Sequence, residues 1–188
     1  GGYGLYRTLD GGRTWEDPVS VPPTAPHGPI ELSDGRLMFL GPDTVQYRRE
    51  KEGDIVAAES RDGGRNWDVI GRINMYPPYA GDDPDGYAYL CEPHVVELEP
   101  GRLLGMARYE EIPRDRSRCV LWQFTSEDGG HTWTEPRPSD IWGKPPHLIR
   151  LVDGRVLVTY GHRREPFGER ACLSSDGGES WNYDDEIV

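Results

Sequence analysis

The chain has 188 residues, with 33 Asp and Glu against 21 Lys and Arg for a net charge of -12. That balance disfavours nucleic acid or an anionic membrane as a main partner, since both need positive surface. No apolar run reaches the roughly 18 residues of a membrane span, and 6 Trp with 10 Tyr are too many aromatics for a disordered chain.

In chain order, the first feature is Thr8-Leu9-Asp10-Gly11-Gly12-Arg13-Thr14-Trp15. Pro26-His27-Gly28 then precedes the turn Leu32-Ser33-Asp34-Gly35-Arg36-Leu37, and a second box follows at Ser60, Asp62, Gly63, Gly64, Asn66 and Trp67. The loop Asp82-Asp83-Pro84-Asp85-Gly86 is expected to be a solvated turn, with a cation site as the alternative. Next come Glu92-Pro93-His94, the turn Leu98-Glu99-Pro100-Gly101-Arg102-Leu103, and Arg108. The mixed-charge stretch from Glu110 through Arg114 and Arg116 to Arg118 is expected to be a solvated lid. A third box holds Ser126, Asp128, Thr132 and Trp133; Pro145-Pro146-His147 and the turn Leu151-Val152-Asp153-Gly154-Arg155-Val156 follow. His162-Arg163-Arg164, Gly168-Glu169-Arg170 and a fourth box at Ser174, Asp176, Ser180 and Trp181 complete the series.

Two kinds of turn thus alternate, in a repeating unit of roughly 50 residues. Asp-Gly between short apolar runs, such as Val95-Val96 and Leu103-Leu104, signals a hairpin because glycine accepts positive φ. No stretch keeps a helical period. The unit is therefore four antiparallel strands, A to D, and its repetition predicts an all-β β-propeller with four-stranded antiparallel blades. There are four C–D hairpins but three A–B hairpins, which implies a partial propeller of about three and a half blades. The expected division is a half blade over 1–21, blades over 26–75 and 91–140, and a blade over 145–188 with its last strand incomplete. The remaining blades, or a second copy of the chain, would complete the ring.

Asp10, Asp62, Asp128 and Asp176 are expected to organise their own turns, because one Asp followed by Gly-Gly offers too few oxygens for calcium. Cys91, Cys119 and Cys172 are expected to be small buried residues, which leaves the compartment open, with a lean towards secreted or periplasmic. No His/Cys metal cluster, phosphate loop or GxSxG elbow occurs, so no metal or cofactor is expected.

Strand direction sorts the remaining polar residues. The starts of A, ends of B and starts of C share the end opposite the turns. They bring Glu92, His94, His147, Arg108, Arg163 and Arg170 to one face. A binding site is expected there, with a solvated charged rim as the alternative for Glu92, Arg108 and Arg170; for His94 and His147 a structural role stands as an equal alternative.

The four boxes resemble the Asp boxes of the sialidase (neuraminidase) superfamily, whose propellers have six blades. Leu90-Cys91-Glu92 with Met106-Ala107-Arg108 is similar to that family's Glu and Arg pair, and Arg170 before the fourth box is similar to its third arginine, with Arg163 as the alternative carrier. The resemblance implies retaining hydrolysis of a terminal sialic acid through a Tyr nucleophile. Glu92 would take the proton of that Tyr, and Arg108 and Arg170 would clamp the substrate carboxylate. The family's first Arg and its Asp acid/base are expected before Gly1, and its Tyr after Val188, so this segment alone is expected to be inactive. Two further readings stand beside this one: another carbohydrate-active propeller enzyme, or a non-catalytic glycan-binding propeller.

Overall fold

The computed structural model describes residues 4–43, 53–79, 81–113, 115, 118–184 and 187; Tyr3, Arg114, Arg116 and Val188 lie outside them. The described residues form four antiparallel sheets. The first pairs β1 (Gly4–Leu5) with β2 (Val19–Ser20). The second runs in the order β3 (Ile30–Glu31), β4 (Leu37–Pro42), β5 (Asp54–Ser60) and β6 (Asp68–Asn74). The third holds β7 (Tyr87–Glu99), β8 (Arg102–Ile112), β9 (Val120–Ser126) and β10 (Arg137–Trp142). The fourth holds β11 (Pro146–Arg150), β12 (Val156–His162) and β13 (Gly168–Ser174). Each sheet is an up-and-down meander, so the chain is an all-β partial propeller.

Why these strands form is visible in their burial. In the middle of the second sheet β5 is covered on both faces, so alternation disappears there: Ile55, Val56, Ala57 and Ala58 are all fully buried. Outer strands keep alternation, as in β6, where Gly71 and Ile73 are buried while Arg72 and Asn74 are exposed. β8 divides its side chains by the two-residue period of a strand. Leu103, Ala107 and Tyr109 join the core shared with the second sheet; Leu104 and Met106 join the core shared with the fourth.

The four box turns share one hydrogen-bond plan. In the second, Ser60 Oγ accepts from Gly64 N at 2.8 Å, and Asp62 Oδ1 accepts from Asn66 N at 2.9 Å. Asp62 Oδ2 accepts from the Asn66 side chain at 2.6 Å. Gly63 and Gly64 take φ of 69° and 89°, conformations that other residues resist. Donors of its own turn thus occupy both carboxylate oxygens. These bonds hold Asp10, Asp128 and Asp176 at about 2, below the ordinary 3.8. Among the described residues, no group of three His, Cys, Asp or Glu is placed to hold a metal ion.

The boxes also join the sheets. Arg7 Nη1 donates to Gly63 O at 2.7 Å, and Gln123 Nε2 donates to Gly178 O at 2.7 Å. Gly129 N donates to Gly101 O at 2.8 Å, which puts box and A–B turn at the same end of the third sheet.

Candidate functional site

β7 is irregular where it matters. Cys91 pairs with Arg108 and His94 with Met106, so Glu92 and Pro93 form a bulge. Glu92 has φ 49°, and among the described residues it alone is a non-glycine with positive φ. A residue before proline favours extended backbone, which makes this conformation more costly still. The bulge turns the carboxylate towards β8, where Arg108 Nη1 donates to Glu92 Oε2 at 2.6 Å.

A second carboxylate holds the other edge of the guanidinium. Arg108 Nε and Nη2 both donate to Glu110 Oε1, at 2.8 and 2.5 Å. Lys144 Nζ donates to the same oxygen at 2.6 Å and to Cys119 Sγ at 3.2 Å. Burial alone would lower the pKa of Arg108, but the bonds to Glu92 and Glu110 outweigh it and raise the value. Burial pushes Glu110 up, while Lys144 and Arg108 pull it below its ordinary value. Burial pushes the Cys91 thiol up to about 12.

The expectation of a solvated lid from Glu110 onward is corrected here for its first residues. Glu110 and Glu111 belong to β8 and are each 1% exposed, because the β7–β8 hairpin extends past the body of the sheet and both carboxylates have partners. Glu111 faces away from Arg108: its Oε1 accepts from Tyr109 OH at 2.6 Å, and Tyr109 stacks on Trp122 with centroids 5.3 Å apart. Tyr109 is thus a buried structural phenol, its pKa raised by burial and by Glu111.

Three histidines meet: His27 just before β3, His147 at the start of β11, and His94 in the middle of β7, not at its start as the sequence led one to expect. His94 and His147 stack at 4.1 Å, and His27 lies 5.1 and 5.6 Å from them. His94 is 5% exposed, and its Nδ1 accepts from Leu148 N at 3.0 Å. Burial and the neighbouring His147 and His27 push it down to about 3, so it is neutral near pH 7. A neutral ring that accepts at Nδ1 carries its proton at Nε2 and offers no lone pair there to a metal. His147 is exposed. Both line a groove of about 720 Å³ between the inner strands, with Glu31, Glu97 and Arg150 further along it.

Arg170 and Arg164 have partners of their own. Arg170, half-buried and opposite Tyr160, donates to Pro166 O at 3.2 Å. Arg163 is exposed. Arg164 lies over the Trp142 ring at 4.2 Å and donates to His162 Nε2 at 3.2 Å. Sequence reasoning missed Glu110 and Lys144 as site residues, because their bond joins a strand of the third sheet to the connection leading into the fourth.

Comparison with known proteins agrees with this architecture. A sialidase of Bacteroides fragilis (strain YCH46) is 25% identical over 209 residues, covering 98% of this chain and 34% of the relative. A xyloglucanase of Paenibacillus sp is 30% identical over 172 residues, covering 86% of this chain and 15% of the relative. The chain therefore spans about a third or less of the curated relatives it matches. Among solved structures, a protein of unknown function from Dyadobacter fermentans DSM 18053 has a TM-score of 0.75 at 23% identity, over 97% of this chain and 50% of that one. The NanB sialidase of Streptococcus pneumoniae has a TM-score of 0.65 at 20% identity, over 95% and 27%. The α-L-arabinofuranosidase Arb93A of Fusarium graminearum has 0.64 at 19%, over 92% and 54%. Residues 3–185 match the BNR repeat-like domain, and the chain belongs to that family, within the sialidase/BNR-repeat superfamily.

Proposed function

We propose that the chain is part of a retaining exo-α-sialidase and carries the Glu92–Arg108 half of its site. The observation that carries this reading is the 2.6 Å bond between them, made by a glutamate held in a strained backbone. Such strain persists where the surroundings over-determine it, as they do at active sites. In this reading Arg108 binds the substrate carboxylate in the same plane in which it now meets Glu92. Glu92, so released, accepts the proton of a tyrosine supplied by the rest of the protein. A neutral tyrosine approaches the anomeric carbon beside that carboxylate without the repulsion a carboxylate nucleophile would meet. Arg170 serves as a second clamp once it leaves Pro166 O, with Arg163 the alternative; His94 and His147 wall the groove beside them.

One observation favours a second reading, a propeller enzyme acting on a neutral glycan. Arg108 and Lys144 are balanced by Glu92 and Glu110, so the cluster carries no net charge to attract an anion. The relatives named xyloglucanase and α-L-arabinofuranosidase fit that alternative.

The full-length protein decides between them. It is expected to release the fluorophore from an aryl α-sialoside, and Arg108→Ala to lower kcat/KM by about 10²–10³-fold. A full-length protein that ignores sialosides and cleaves an aryl arabinofuranoside or xyloglucan oligosaccharides overturns the first reading in favour of the second. Glycan binding without turnover, unaffected by Glu92→Gln, overturns both.

A further inference from the structure

The Arg108 guanidinium that meets Glu92 is also held on its far edge. Glu110 Oε1 accepts three N–H groups: Arg108 Nε at 2.8 Å, Arg108 Nη2 at 2.5 Å and Lys144 Nζ at 2.6 Å. Glu110 is 1% exposed and Lys144 6%. Lys144 lies in the connection between β10 and β11, so it reaches this oxygen from the joint to the next sheet. Its backbone is tied there as well, with Lys144 N donating to Gly161 O at 3.1 Å.

We infer that Glu110 and Lys144 are positioning residues for Arg108: Glu110 fixes the Nε–Nη2 edge so that the Nη1 end faces Glu92 and the ligand, and Lys144 offsets the charge of Glu110. The inference rests on reading Arg108 as the clamp for a substrate carboxylate.

A buried carboxylate bonded to two donors of one guanidinium removes its rotation, so the clamp is ordered before substrate arrives. Such an anchor brings its own difficulty, because Glu92 and Glu110 together would leave Arg108 in a site of net charge -1, repelling an anion. Lys144 returns the four groups to neutrality without competing for the Nη1 end. Exchange of Glu92 for a substrate carboxylate at Nη1 then conserves the charge around the guanidinium.

The test uses the full-length protein with Lys144→Met, Lys144→Gln and Lys144→Arg. Lys144→Gln keeps an N–H donor for Glu110, so the joint between sheets survives even if Lys144→Met does not fold. Two readouts are taken. The first needs no activity: hydrogen exchange of the Arg108 Nε–H by NMR, assigned with Arg108→Lys. Lys144→Met and Lys144→Gln are expected to speed that exchange, and Lys144→Arg to restore it. The second is steady-state kinetics on an aryl α-sialoside. Both neutral variants are expected to raise KM about tenfold with kcat within about twofold, as loss of carboxylate binding requires, and Lys144→Arg to recover KM. Folded variants with unchanged exchange and unchanged KM overturn the inference, and so does a fall in kcat with KM constant. If the unsubstituted protein turns over no sialoside, the proposed activity fails, and the exchange readout alone still decides whether Lys144 holds Arg108 in place.

Discussion

Gln123 bonds at both ends of its amide across the joint between the third and fourth sheets. Its Nε2 donates to Gly178 O at 2.7 Å, and its Oε1 accepts from Trp181 Nε1 at 3.1 Å. In the second and third boxes the tryptophan instead donates to a glycine of its own turn, from Trp67 to Gly64 O and from Trp133 to Gly130 O. Gln123 is 2% exposed, so its removal leaves buried polar groups unpaired. Gln123→Leu is expected to cost about 1–3 kcal/mol, read as a fall in the urea midpoint at unchanged slope.

The backbone of Glu92 makes a second prediction. At φ 49° a β-branched side chain clashes, whereas glycine is at ease. Glu92→Val is expected to lose about 2 kcal/mol or more. Glu92→Gly is expected to lose less than half of that, although both variants forfeit the bond to Arg108. Equal losses, measured by thermal or urea unfolding, would mean that the cost lies in the ion pair and not in the backbone.

Close approach between sheets can be tested with two glycines. A Cβ on Gly71 would sit 2.1 Å from Gly130 O, in the box of the next sheet, whereas a Cβ on Gly28 meets nothing within 4 Å. Gly71→Ala is expected to destabilise by about 1–3 kcal/mol or more, because backbone has to move. Gly28→Ala is expected to fall within about 0.5 kcal/mol of the parent.

Acid should weaken the fold in two stages. His94 is lowered to about 3 from 6.5, so the unfolded chain binds a proton that the folded chain refuses. Its contribution is complete above about pH 6.5 and is lost as pH falls towards 3. Asp10, Asp128 and Asp176 are lowered from 3.8 to about 2, so their contribution is lost only below about pH 4. His94→Gln is expected to flatten the decline in urea midpoint between pH 6.5 and 4 and to leave the steeper loss below pH 4. A decline of unchanged slope in the variant would rule out His94 as its source.

How much of this was legible in the sequence follows from how local each device is. A box turn is closed by residues within a few positions of its Asp, so spacing alone exposes it. Glu92 and Arg108 were legible because antiparallel strands on either side of the turn at Gly101 bring Cys91 opposite Arg108, although both residues lie within β7 and β8 and not at the ends. The bulge at Glu92 and Pro93 was not, since its φ follows from the pairing on either side. Lys144 carries no local signal: its partner Glu110 lies across a joint between sheets, and no periodicity reports such a pair. Glu110 and Glu111 looked like solvated charge because four acidic or basic residues follow closely, yet the hairpin carries both into the interior.

The four residues from Arg108 to Glu111 carry a consequence for how this scaffold tolerates change. Alternation along β8 sends Arg108 and Glu110 towards Lys144, and Tyr109 and Glu111 towards Trp122 or Arg118. Insertion or deletion of one residue between Leu103 and Arg108 would exchange the two sets. The face towards the fourth sheet would then receive a phenol hydrogen-bonded to a carboxylate, and the guanidinium would be turned towards an indole. The register of β8, more than any substitution within it, thus decides which of the two sets lies beside Glu92 and Lys144.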